Sequence, residues 1–458
     1  MPMRFPSLMI LVGACGGGSS SGAPPDVNVD AAVDGASSQP VTLTVTEGGA
    51  PRVGVHVYFV ATDSTPVATV DTDAGGMASA MLPAGGSVTL LDPFPDTVEE
   101  LAPTVGQNQL VSYLGVQPGD HLTLLRSDRL AVSFTLVAPA VTGATNYDVI
   151  TTCGNDSLRP DAAGGATASG TVMLKGCHGA TDVAIVARSV DPVSHASTPL
   201  SGLFHAGAVA DGTAVTLSDP YAALVTRSFT YLNPPAGATL DVAHSPLAAH
   251  GPIGPFKPTL TGNSGTIHEP VTTASSAVTV SYDRSTVHYS VMEWGALAVD
   301  YQLDLAGALP RDIVDPPTYD VAGGRATWGE AAQGATPDAS VMLVGAARPA
   351  QSRKWTWTVI APYTRGEIRL PRLPTDVADW IPVAGDTARV DQVTNLKLTG
   401  GYDALRTAKI DFGRDDRSLI SGAQGTIAAV NAEGARVTVA PAAAAVRSAR
   451  RSIFGSRR

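Results

Sequence analysis

From Pro40 onward the chain alternates. Val41, Leu43 and Val45 are apolar, and Thr42, Thr44 and Thr46 between and after them are polar. Val53, Val55, Val57 and Phe59 share one face of the next stretch. The same period returns in Leu130, Val132, Phe134 and Leu136, and in Val278, Val280 and Tyr282. Side chains two apart on a strand point the same way, so this period sets one face on a core and the other toward water, the habit of antiparallel sheets. Glycine and proline, 47 and 34 of them, interrupt the chain at intervals too short for long helices. Many short strands with dense turn signals predict a mainly β chain built of tandem antiparallel β-sandwich domains. Helical patterning is scarce, and its best candidate is the alanine-rich stretch 442–454.

The start of the chain breaks this pattern. Arg4 precedes the apolar run Leu8-Met9-Ile10-Leu11-Val12, which ends in Gly13-Ala14-Cys15. A charge, an apolar core and small residues before a cleavage point are the layout of a secretory signal. Cys15 after Val12-Gly13-Ala14 resembles the lipobox of bacterial lipoproteins. The resemblance implies cleavage before Cys15, a diacylglyceryl group on its sulfur and acylation of the new amine. Each buried methylene contributes about 0.8 kcal/mol, and two or more chains hold a protein on a membrane where one does not. The residue after the cysteine is Gly16 rather than Asp, which in that family implies the outer membrane. Residues 15–39 are rich in Gly, Ser, Pro and Asp without apolar period, the composition of a flexible tether.

Further segments follow. In 40–125, Gly54-Val55-His56-Val57-Tyr58-Phe59, then Thr69-Val70-Asp71-Thr72-Asp73-Ala74-Gly75-Gly76, then Leu82-Pro83-Ala84-Gly85 resemble the carboxypeptidase regulatory-like domain. That is a small transthyretin-like β-sandwich, non-catalytic where it is known. The residues agree with its middle hairpin: Asp71 and Asp73 can accept from the turn backbone, and Gly75 or Gly76 can take positive φ. In 126–217, Ala138-Pro139-Ala140 and Gly143-Ala144-Thr145-Asn146-Tyr147-Asp148-Val149 are similar to the opening strands of a fibronectin type III-like domain, although the tryptophan expected in its second strand is absent, with Phe134 nearby. Faint echoes in Leu224–Thr230 and Gly237-Ala238-Thr239 suggest further β-domains at 218–312 and 313–441, before an Ala/Arg-rich tail at 442–458.

Composition narrows the function. Of 458 residues only 16% are charged and the net charge is −11, which argues against nucleic acid, whose phosphates call for clustered Lys and Arg. No later run reaches the roughly 18 apolar residues of a spanning helix. With Cys15 assigned to the lipid, Cys153 and Cys177 remain, an even pair in an oxidising compartment, and a disulfide is expected between them. Free thiols, or a metal site with His178, are the alternatives, although the paired spacing of zinc ligands is missing. The five Arg447, Arg450, Arg451, Arg457 and Arg458 form a basic end, either solvated or lying on an anionic surface.

No catalytic constellation survives inspection. Gly262-Asn263-Ser264-Gly265 is not a nucleophile elbow, Asp411-Phe412-Gly413 has no kinase context, and His268-Glu269 lacks the second half of a zincin motif. Asp71 and Asp73 are too few for a calcium loop. No metal and no cofactor are expected. All five tryptophans lie in the C-terminal half, and Trp355 and Trp357, two apart, share one strand face. Exposed, they form a ligand-stacking platform for a sugar or a peptide; covered, they are core. The sequence therefore points to a lipid-anchored cell-envelope protein, non-enzymatic, with a binding, adhesion or structural role and a polysaccharide or envelope protein as ligand. An accessory or regulatory subunit of another envelope protein is the second reading, and a hydrolase with an unrecognised site the third. The oligomeric state stays open at this point.

Overall fold

Alternation becomes burial at the first strands. β1 (Pro40–Glu47) buries Val41, Leu43 and Val45 and leaves Thr44 and Thr46 half-covered. The computed structural model describes residues 39–92, 107–126, 131–152, 154–161, 165–175, 181–207, 212–249, 251–270, 273–411 and 424–434. Cys15, Cys153, Cys177, His178, the tether up to residue 38 and the tail 442–458 lie outside them. The chain is mainly β, with antiparallel pairing dominant and sheets stacked in sandwich-like layers.

After β1 come β2 (Ala50–Pro51), β3 (His56–Val60), β4 (Pro66–Asp71), β5 (Met77–Met81), β6 (Gly86–Leu91), β7 (Gln107–Val116) and β8 (His121–Arg126). One layer runs β2-β1-β8 and ends in the strand Lys409–Asp411, with β5 also paired to β1. The facing layer runs β4-β3-β6-β7. Val41, Leu43, Leu122 and Leu124 of the first layer meet Val57, Phe59, Val88, Leu90, Val111 and Tyr113 of the second. Val53 departs from the expected pattern. It is 64% exposed, outside the strand that carries Val57 and Phe59. Gly54, at φ 78°, turns the chain between them and cuts the period.

The turn between β4 and β5 follows the sequence closely. Asp73 Oδ1 accepts from Gly75 N at 2.8 Å and from Met77 N at 3.0 Å. Gly76 has φ 71°, and a Cβ there would stand 2.5 Å from the Val45 carbonyl. Asp71 does something else: it pairs with His56 Nδ1 across the β3–β4 ladder at 2.5 Å.

The facing layer does not stop at β7. β7 pairs in parallel with Arg353–Pro362, in register Lys354 to Gln107 through Ile360 to Tyr113. The sheet continues through Ala339–Arg348, Thr387–Leu398, Gly425–Glu433, Val287–Gly295, Ser276–Arg284 and Asp241–Ala248 to Gly251–Pro252, twelve strands in all. Segments 40–125, 218–312 and 313–441 thus all contribute to one sheet, and hydrogen bonding crosses the limits read from the sequence. A parallel pairing of strands so far apart in the chain leaves no local trace such as a hairpin turn does. The segment from Ala131 to Thr216, in contrast, pairs within itself as a seven-stranded sheet around Phe134, Leu136, Tyr147, Leu158 and Ile185. All the described residues fall in one compact unit, Ser38–Arg458.

Alternate residues of the central strands feed opposite layers. Ile360 joins the core under β1 and β8, while Trp355, Trp357, Val359 and Ala361 point the other way. That second face is covered by the three-stranded sheet Ile313–Asp320, Arg325–Glu330 and Glu367–Arg369 through Ile313, Trp328 and Ile368. Further along, it is covered by a four-stranded sheet through Phe229, Tyr231, Ile267 and Tyr301. Two covered faces make three layers, and the central strands are apolar on both sides. No helix among the described residues is long and apolar enough to cross a membrane.

Candidate functional site

The tryptophan pair is core. Trp355 and Trp357 are 1% and 0% exposed. Trp357 Nε1 donates to Ser112 Oγ on β7 at 2.8 Å. Trp355 meets Trp380 edge to face, with centroids 6.0 Å apart, and the Arg348 guanidinium lies 5.6 Å from its ring centroid. The stacking platform is therefore not formed. Spacing put both indoles on one face correctly, but the three-stranded sheet and the turn Thr375–Trp380 cover that face. Trp294 and Trp328 are buried as well, which leaves Trp380, half-buried, as the most accessible indole, and the Arg353 guanidinium sits 5.1 Å from its ring centroid.

The residues with most chemical potential are ones the sequence did not bring together. Arg227 on Val225–Leu232, Glu269 on Ser264–Glu269 and His244 on Asp241–Ala248 come together between the four-stranded and the twelve-stranded sheets. Arg227 Nε donates to Glu269 Oε1, and His244 Nδ1 stands 2.9 Å from Glu269 Oε2, off the hydrogen-bonding direction. Glu269 and His244 are fully buried. A buried carboxylate is tolerable only with its charge partner beside it. The triad therefore ties three strands from two layers, and its solvent exclusion leaves it nothing to receive a substrate. On the outer side of the same strand pair, Thr226 Oγ1 and His268 Nδ1 are 3.0 Å apart and exposed.

Three further charged groups act in the same way. Arg406, on the helix Gly401–Thr407, meets Asp120 at the end of the β7–β8 turn, with Nε 2.6 Å from Oδ2 and Nη2 3.2 Å from Oδ1. Arg348 forks onto Asp386 with Nε and Nη2 both at 2.9 Å, and Nη2 also donates to the Ile381 carbonyl at 3.0 Å. That guanidinium holds the Asp386 carboxyl below the usual carboxylate range. Glu330 accepts from Trp328 Nε1 at 2.8 Å, from Asn395 Nδ2 at 2.9 Å and from the Tyr363 hydroxyl. Burial, with the Glu330 bond adding to it, pushes the Tyr363 phenol up to about 12. Each cluster joins elements distant in sequence, so single-strand periodicity could not reveal it.

Asp71 and Asp73 work as turn and ladder residues, and among the described residues no group of three His, Cys, Asp or Glu is placed to hold a metal ion. Some large apolar side chains are exposed among the described residues. Four of them, Val53, Val67, Met77 and Met81, fall on β4, β5 and the loop before β3.

No family model matches this sequence, and no curated protein matches it. Among solved structures, a streptococcal ancillary pilin aligns over 58% of this chain and 98% of its own, with 7% identity and a TM-score of 0.13. So loose a likeness carries no argument about fold or function.

Proposed function

We propose that this chain is a lipid-anchored cell-envelope protein, held through Cys15 at the outer membrane, whose body has a binding, adhesion or structural role. The anchor rests on the sequence Val12-Gly13-Ala14-Cys15, and the observation that supports the role of the body is the use of the interior charges. Arg227–Glu269–His244, Arg406–Asp120 and Arg348–Asp386 each fasten strands or turns that are far apart in sequence. Such a body holds its loops and edges in fixed positions, which suits a scaffold that presents a surface. A second reading, an accessory subunit of another envelope protein, is favoured by the exposed apolar side chains of β4 and β5.

Fractionation tests the proposal. Wild-type protein should sediment with membranes, and Cys15→Ala should be released from them. A wild-type protein that stays in the soluble fraction would overturn the anchored reading.

A further inference from the structure

Residues 370–386, between Glu367–Arg369 and Thr387–Leu398, carry no strand and a single short helical turn, Thr375–Trp380. Among the strand-to-strand connections described from end to end, this one is the longest. Connections beyond about 12–15 residues are uncommon in compact domains, and where they occur they are mostly lids or binding loops. Leu370, Leu373 and Trp380 of this segment pack on the core that holds Trp355. Trp355 is 1% exposed, and its Nε1 has no hydrogen-bond acceptor. Buried indole N–H groups usually have one, so the unpaired donor marks the ground under the segment as unusual.

The two ends of the segment are pinned. Leu370 N donates to the Gly324 carbonyl at 2.8 Å. At the other end Arg348 forks onto Asp386 and donates to the Ile381 carbonyl. The middle is held more lightly. Arg348 Nη1 reaches the Asp379 carbonyl at 3.0 Å, and Arg353 Nη1 donates to Asp379 Oδ2 at 2.7 Å, with the Arg353 and Asp379 side chains 33% and 59% exposed. An exposed ion pair contributes little stability and yields to competing ions. The Arg353 guanidinium also lies 5.1 Å from the Trp380 ring centroid, and Trp380 meets Trp355 edge to face. Asp379 therefore sets a carboxylate on a guanidinium backed by indoles. A guanidinium pairs with carboxylates, and an indole has an apolar face and an N–H donor. Those are the groups that a sugar acid needs: its ring has an apolar face, and its rim carries a carboxylate and hydroxyl oxygens.

We propose that residues 371–380 are a lid kept shut by Asp379, and that opening it gives Arg353 and Trp355 to a uronic acid unit of an acidic polysaccharide. The ligand carboxylate takes the place of Asp379 on Arg353, and the sugar ring lies against Trp355 with an oxygen on its Nε1. The closed lid is an internal competitor, so weakening it raises apparent affinity. This deepens the binding role proposed above and rests on it; the lipid anchor has its own test in fractionation. The experiment follows the tryptophan fluorescence of the full chain as polygalacturonate is added, with dextran as a neutral control, for wild type, Asp379→Asn and Arg353→Gln. Both substitutions break the exposed pair, so both should increase quenching by acrylamide while the circular dichroism spectrum stays unchanged. Only Asp379→Asn keeps the guanidinium. It should bind polygalacturonate at least tenfold more tightly than wild type, and Arg353→Gln at least tenfold more weakly. A pair with a merely structural role would move both variants the same way. Should Arg353→Gln misfold, the contrast between Asp379→Asn and wild type decides. No binding of polygalacturonate to wild type or Asp379→Asn, or equal binding of dextran, would overturn the proposal. Binding that neither substitution changes would overturn it too, while leaving a polysaccharide role elsewhere on the molecule.

Discussion

At the scale of single residues, burial decides what chemistry a side chain has. Trp355 and Trp357 carry the aromatic surface a glycan site would use, yet they lie between layers. Trp357→Ala should therefore cost about 3–5 kcal/mol, the range for large-to-small changes in a core. Urea unfolding checks it, and a loss of ligand binding at unchanged stability would contradict the placement. Glu269→Gln leaves Arg227 charged and buried without its counterion, and should also cost about 3–5 kcal/mol. Asp386 gives a pH signature. Its folded-state carboxyl titrates below its unfolded value, so its pairing with Arg348 stabilises the protein above the ordinary carboxylate range, and the gain is lost as pH falls through the folded value. Asp386→Asn should flatten the fall in melting temperature below about pH 4. Local chemistry was legible where its partners were local: Asp73 and Gly76 were readable because their partners lie within the same turn or the adjoining strand. Arg227, His244 and Glu269 were not, because they sit on three strands that only the fold brings together.

At the scale of elements, period two identified strands well and their neighbours poorly. β1 reads from Val41, Leu43 and Val45 alone, but nothing in its sequence announces that it lies parallel to β8. Val53 shows the complementary failure, since alternation counted across Gly54 without feeling the turn. The central strands carry apolar residues on both faces, so Trp355 and Trp357 marked a strand without saying how many layers cover it. The turn into β5 gives an element-level test. Gly76→Ala sets a side chain at positive φ against the Val45 carbonyl and should destabilise the first sandwich by about 1–3 kcal/mol. Hydrogen exchange of β1 and β5 would show it.

At the scale of the whole molecule, the first and last segments complete each other. β7 takes Arg353–Pro362 as a neighbour, β8 takes Lys409–Asp411, and Arg406 reaches back to Asp120. A fragment of residues 40–125 would expose both unpaired strands and should fail to fold cooperatively, as a thermal melt of the fragment would show. The proposed lipid on Cys15 belongs to this scale too, because it would fix where the whole body sits. Mass spectrometry of the N-terminal peptide from the membrane fraction tests it most directly. The account predicts a peptide that begins at Cys15 and carries acyl chains; an unmodified peptide beginning at Met1 would contradict it.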